Sequence, residues 1–191
     1  MPAQHLSRRV VHAKPQVTTA NHDFAETVDP PRRGKQFERI CQWFLTHEPV
    51  YARELRRVWL WADWPDRWGA DAGIDLVAED RRGHLWAIQA KAYDEATWIT
   101  KRDVDTFLAE SGRSEFSFRL LIATTNLIGR TAKRTIEAQE KQASVLLLDD
   151  VEAAEVDWPG SPTDDLRTPA HAAETAPASS AASDQRGGEG V

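Results

Sequence analysis

The tightest constraint on the fold is a pair of apolar-rich runs, Ile74–Glu79 and Leu85–Lys91, broken by Arg81-Arg82-Gly83. Each run has strand length, and the break holds a glycine, so the pair reads as a β-hairpin. With Gly83 in the left-handed conformation of a three-residue loop, Asp80 faces His84. Counting back along the ladder sets Asp75 opposite Gln89, with Lys91 on the same face because side chains alternate with period two. A slip of one residue would break this grouping, so register decides whether an acid, an amide and an ammonium group converge.

The surrounding pattern is α/β. Phe37, Ile40, Cys41 and Phe44 recur at helical spacing between Gly34 and His47. A short strand is expected around Arg57–Trp61. Thr100, with Asp103 three residues on, has the spacing of a capping box, and Val104, Phe107 and Leu108 give the helix an apolar stripe. Ser117–Thr124 reads as a buried strand, Gly129–Lys141 as a basic helix and Val145–Leu148 as a final strand. The expected order is α-β-β-β-α-β-α-β, with a helical crossover and hence a parallel pair near the end. Residues 1–31 and 159–191 lack apolar periodicity and are expected to be disordered, the second an acidic Ala/Ser/Pro/Gly tail. The ordered domain is expected over 32–158.

Charge is unevenly placed. Asp150–Val191 holds nine of the 30 acidic and two of the 24 basic residues, leaving 21 acidic and 22 basic residues before it. The net charge of −6 therefore belongs to the tail, and the body is nearly neutral. One cysteine, Cys41, rules out an internal disulfide and a Cys-based metal knuckle. No apolar run approaches the ~20 residues of a membrane span, and the first residues lack a signal-peptide core. A cytoplasmic location with no membrane partner is expected.

The converging groups suit phosphodiester chemistry. That reaction needs an activated water, stabilised charge at phosphorus and a neutralised leaving oxygen, and a Mg²⁺ ion held by oxygen ligands can serve all three. Asp75 is the expected main anionic ligand, with Gln89 offering an amide oxygen and Ala90 its backbone carbonyl. Lys91 is expected to orient the attacking water and stabilise developing charge. Glu38, at the edge of the first helix's apolar stripe, is the expected second carboxylate. Mn²⁺ is an expected substitute for Mg²⁺.

These residues resemble a known family. Gly34 with Phe37-Glu38, then Gly69-Ala70-Asp71-Ala72-Gly73-Ile74-Asp75, then Gln89-Ala90-Lys91 are similar to the Mrr-like branch of the PD-(D/E)XK nucleases, in which Gln often replaces the acid before the lysine. Leu121-Ile122-Ala123-Thr124-Thr125-Asn126, the basic helix and Val145–Asp149 extend the likeness over roughly 34–150. Trp59-Leu60-Trp61-Ala62-Asp63-Trp64-Pro65 and Asp157-Trp158-Pro159 resemble the N-terminal nuclease domains of single-polypeptide Type I restriction-modification enzymes and related helicase fusions. The resemblance implies a restriction-endonuclease-like mixed central sheet flanked by helices. It also implies an endonuclease of a restriction system acting on double-stranded DNA through Glu38, Asp75, Gln89 and Lys91. A helicase, translocase or methyltransferase module in cis or in trans is an implied partner. Cutting both strands calls for two sites, hence a homodimer or two converging motors.

Other residues admit two readings. Lys101, Arg102, Arg113, Arg130, Lys133 and Arg134 either track DNA phosphates or form a solvated helix face. Thr124, Thr125 and Asn126 either contact phosphate or cap the following helix. Trp59, Trp61, Trp64 and Trp68 are expected to pack the sheet edge or a neighbouring domain. The alternative to a nuclease is a catalytically silent DNA-binding or docking module on the same fold, made credible by the uncharged Gln89.

Overall fold

Five strands form one mixed sheet in the order β1-β2-β3-β4-β5 in the computed structural model, which describes residues 29–70 and 72–158. Helix α1 (Pro30–His47) and the short α2 (Pro49–Glu54) lead into β1 (Leu55–Leu60). A 3-10 turn (Trp61–Asp63) and an irregular stretch precede β2 (Leu76–Asp80) and β3 (Leu85–Lys91). Helix α3 (Lys101–Glu110), β4 (Phe116–Ala123), α4 (Arg130–Glu137), β5 (Ala143–Leu146) and α5 (Leu148–Ala153) follow. β1, β2 and β3 run antiparallel, whereas β3, β4 and β5 pair in parallel, as the helical crossovers require. The expected restriction-endonuclease-like α/β sheet is thus present.

The period of two sorts the sheet's side chains. Val77, Ala87, Leu121 and Ala123 face one side, where Val104, Phe107 and Leu108 of α3 and Ala132 and Ile136 of α4 cover them. Leu76, Ala78, Ile88, Leu120 and Ile122 face the other, under Phe37, Cys41, Phe44 and Leu45 of α1 and Leu148 and Val151 of α5. The result is three layers with the sheet between two helical faces. Trp61, Trp64 and Trp68 meet edge-on or tilted and close over Phe116. They pack within the domain, in the cluster on the α3 face of the sheet.

Several boundaries differ from those expected. Helix α1 begins at Pro30, four residues before Gly34, because proline suits the first helical turn. Pro30 and Pro31 therefore belong to it, while the remainder of the N-terminal segment and the 159–191 tail lie outside the described residues. The Glu48 carboxylate accepts from the backbone N–H groups of Val50 and Tyr51 and so starts α2. The run Val145–Leu148 divides: Val145 and Leu146 stay in β5, and Leu148 opens α5. Asp150 accepts from the Leu147 N–H at 2.9 Å, and Asp149 and Asp150 occupy the positive end of that helix.

The hairpin has the expected register. Leu76 pairs with Ile88 and Glu79 with Leu85, and Gly83 sits at φ +84°. The Asp80 carboxylate locks the turn, accepting from the N–H groups of Arg82 (2.8 Å) and His84 (2.9 Å) and contacting His84 Nδ1 at 3.0 Å. Burial works to raise the Asp80 pKa, but these bonds outweigh it and hold it below the usual carboxylate value. Its stabilisation is therefore complete above the unfolded-state pKa and is lost as pH falls through the depressed folded-state value. Asp80→Ala should cost about 1–3 kcal/mol at pH 7. Urea unfolding should show that difference shrinking in strong acid.

Candidate functional site

Strand β2 starts one residue late for Asp75, and this places the carboxylate. Asp75 donates its own N–H to the Ile88 carbonyl (2.9 Å) and accepts the Trp61 N–H on its carbonyl (2.8 Å). Its side-chain Oδ2 accepts the Ala90 N–H at 2.8 Å. That N–H lies in the plane of the sheet and points towards β2, so the carboxylate occupies the ladder position that a longer β2 would fill. In an antiparallel pair a residue's N–H and C=O leave on the same edge, so the Ala90 carbonyl is directed to that side too.

Gln89 is fixed from the other end of its amide. Its Nε2 donates to the Gly73 carbonyl at 3.0 Å, which sets the orientation of the group. Its Oε1 is buried and has no hydrogen-bond partner. Gly73 makes this possible: it holds φ at +63°, and a Cβ there would come to 3.0 Å from Thr106 Cγ2. Lys91 closes β3, partly exposed. Asp75, Gln89, Ala90 and Lys91 all line one cleft of about 870 Å³, whose far wall carries Arg102, Asp103, Thr106, Glu110 and Arg113. The three expected side chains therefore open to one side of the sheet.

Beyond this set lies a polar brace that sequence reasoning treated only as a helix cap. Asp103 accepts from the Thr100 N–H (2.7 Å), the Thr100 hydroxyl (2.6 Å) and the Tyr93 hydroxyl (2.8 Å). Burial opposes ionisation, but these bonds, with the charge of Lys91, keep the Asp103 pKa below its ordinary value. The same contact works in reverse on Tyr93, whose pKa is driven up by burial and by the neighbouring carboxylate. The charge of Lys91 therefore reaches the Asp103 carboxylate across the cleft.

Glu38 does not line the cleft. It is buried on α1, where both carboxylate oxygens accept from Lys35 at 3.0 and 3.1 Å. Burial raises its pKa against the pull of Lys35, and the charge of Asp75 adds to the rise. The Cys41 thiol is likewise pushed up by burial and then by Asp75 and Glu38. The two carboxylates therefore sense one another across the layer, from separate settings. Among the described residues no group of three or more His, Cys, Asp or Glu side chains could hold a metal ion.

The expected DNA contacts divide. Arg102 lines the cleft, whereas Lys101 is drawn to Asp105 at 2.6 Å. Arg130, Lys133 and Arg134 lie exposed on α4 and do not reach the cleft wall. Thr124 and Thr125 do not face outward. The buried Thr124 hydroxyl donates to the Tyr93 carbonyl at 2.6 Å, and that of Thr125 lies 2.9 Å from the carbonyls of both Glu95 and Thr97. Asn126 clasps Asp149 through two hydrogen bonds at the start of α5. These three residues anchor the 92–100 loop and α5, because buried loop carbonyls there need donors.

The restriction endonuclease family Mrr_cat_2 matches residues 46–166, well over half of the chain. The chain belongs to this family. It carries a restriction endonuclease domain. It is similar to the ATP-dependent Type ISP restriction-modification enzyme LlaBIII, solved bound to DNA, at 33% identity and a TM-score of 0.59 over 67% of the chain. The chain spans 8% of the length of LlaBIII. Looser matches are the DNA modification-dependent restriction endonuclease AspBHI (14% identity, TM-score 0.45, 79% of this chain and 38% of that one) and the MspJI restriction endonuclease in complex with an oligonucleotide (13%, 0.46, 78% and 34%). No curated protein matches the chain. The family match begins after Glu38 and includes Asp75, Gln89 and Lys91. Among the described residues no helix is long and apolar enough to cross a membrane.

Because Thr125 satisfies loop carbonyls from a fully buried position, Thr125→Val should cost about 1–3 kcal/mol. Hydrogen exchange should then speed up at Thr97–Ile99 while the β2–β3 amides keep their protection.

Proposed function

We propose that this domain hydrolyses phosphodiester bonds of double-stranded DNA with Mg²⁺, Mn²⁺ substituting, at the cleft between β3 and α3. The observation that carries the reading is the meeting of the Asp75 carboxylate, the Ala90 carbonyl edge and the unpartnered Gln89 Oε1 beside Lys91. All three donors are oxygens, as a hard divalent cation requires. A buried amide oxygen lacking any donor is a group that such a cation would satisfy. Asp75, Gln89 and Ala90 would hold the ion, with Glu38 as the more distant carboxylate. When bound, it supplies Lewis-acid polarisation of the scissile phosphate and lowers the pKa of a coordinated water.

The chain's own residues perform the remaining work. Lys91 projects a positive charge into the cleft, where negative charge grows on the phosphate oxygens as the water oxygen bonds to phosphorus and the P–O ester bond breaks. Asp103, held ionised by Thr100 and Tyr93, attracts the Lys91 head and limits its wandering. The Ala90 N–H holds Asp75 in the ladder gap, so the anionic ligand needs no rearrangement. Gly73 holds the Gln89 amide with its oxygen directed away from the Gly73 carbonyl. Arg102 at the start of α3 supplies a phosphate contact on the facing wall.

The short span of the chain within LlaBIII supports a module that works beside a translocase or methyltransferase, in cis or in trans. A paired copy would supply the second cut. A silent DNA-binding module would leave plasmid uncut in both Mg²⁺ and Mn²⁺.

Lys91→Ala should reduce plasmid nicking in Mg²⁺ by about 10²-fold or more while thermal unfolding is unchanged. Full nicking by that variant would remove Lys91 from the mechanism. Asp75→Ala should weaken Mg²⁺ binding, and an unaltered calorimetric titration would count against Asp75 as the principal ligand.

A further inference from the structure

The cleft extends past the Asp75–Lys91 group to a second feature, a guanidinium seated over an indole ring. The Arg113 Cζ lies 4.0 Å above the centre of the Trp68 ring, and both residues line the cleft. Trp68 is itself wedged against Trp61, Trp64 and Phe116, so the ring is a fixed support. Glu110 lies 3.6 Å from the Arg113 Nε, longer than a hydrogen bond. Among the described residues Arg113 donates no hydrogen bond from either Nη. A guanidinium supported by a ring and with neither Nη engaged has N–H donors to offer a phosphate, including in bidentate fashion.

The backbone beneath Arg113 is held as firmly as its side chain. Lys141 Nζ donates to the carbonyls of Gly112 (3.1 Å) and Arg113, and Arg119 Nε donates to that of Ser111 (3.2 Å). Two cations thus cover the negative end of α3, one of them largely buried. Gly112 permits the sharp exit: a Cβ there would lie 2.9 Å from the Ala109 carbonyl oxygen. The helix end is therefore built to hold Arg113 in one place.

We propose that Arg113, supported by Trp68, is a substrate-positioning residue that binds a DNA backbone phosphate remote from the scissile one. It lies at the opposite end of the α3 wall from Arg102. The helical stretch from Arg102 to Glu110 alone spans ~12 Å. At 3.4 Å of duplex axis per step on one strand, that stretch covers about three to four base pairs. The inference rests on the nuclease reading for the identity of the substrate, but it concerns grip and not bond breakage.

The test measures binding of the full chain to a short fluorescein-labelled duplex by anisotropy in EDTA, across a series of KCl concentrations, so that no cleavage intervenes. Arg113→Gln should weaken binding about five- to tenfold and lower the slope of log K against log salt by about 1. Arg113→Lys, which keeps the charge and loses the planar stack, should retain the slope with intermediate affinity. An Arg113→Gln protein with wild-type affinity and slope overturns the proposal, as does a wild-type chain that does not bind duplex. If Arg113→Gln unfolds, Arg113→Lys decides through its affinity: wild-type affinity would overturn the stacked geometry. Nicking by wild type in Mg²⁺, scored separately, reports on the nuclease reading. Loss of grip in Arg113→Gln without any nicking by wild type would sustain this inference and sink that reading.

Discussion

One hydrogen bond sets the geometry of the site: the Ala90 N–H to the Asp75 carboxylate, 2.8 Å long. It is a ladder bond in which a side chain has replaced a strand. Because β2 begins at Leu76, the backbone oxygen that would have met Ala90 is absent, and Asp75 enters the gap. A buried N–H must find an acceptor, and a carboxylate in that position is a strong one. Strand geometry turns the Ala90 carbonyl to that same edge. One register therefore fixes the acid, the amide and the carbonyl together, and the Asp80 turn fixes the register.

The two sides of the sheet have different tasks. The α1 face is apolar packing that encloses Cys41 and borders Glu38, and burial raises both pKa values. The α3 face carries the cleft, and its rigidity comes from polar groups placed where helix and loop carbonyls would otherwise go unmet. Thr124 and Thr125 serve the loop after β3, while Arg119 and Lys141 serve the end of α3. Desolvation lowers the pKa of both cations, and for Lys141 the charge of Arg119 adds to it.

Much of this was legible in the chain. Gly83 and the two apolar runs predict the hairpin and its register, and that register alone sets Asp75, Gln89 and Lys91 on one face. The parallel half of the sheet followed from alternating strands and helices. Helices α2 and α5 were not legible, because each is only six residues long and depends on a cap at Glu48 or Asp150 more than on periodicity. The Thr124-Thr125-Asn126 turn resembled a phosphate-binding edge. Its partners lie some 23 to 31 residues away along the chain, beyond the reach of a local pattern. Glu38 falls at the edge of the α1 apolar stripe and is buried, but helical phase alone does not give its distance from the cleft wall.

The placing of Arg113 in the turn after α3, and of Asp75 and Lys91 at the β2–β3 ladder, separates two kinds of change. On the proposed reading, substitutions in that turn would retune which lengths or shapes of polymer are held, while Asp75, Gln89 and Lys91 stay anchored by the β-ladder. A lineage could diversify its targets in this way without having to reinvent its scissors.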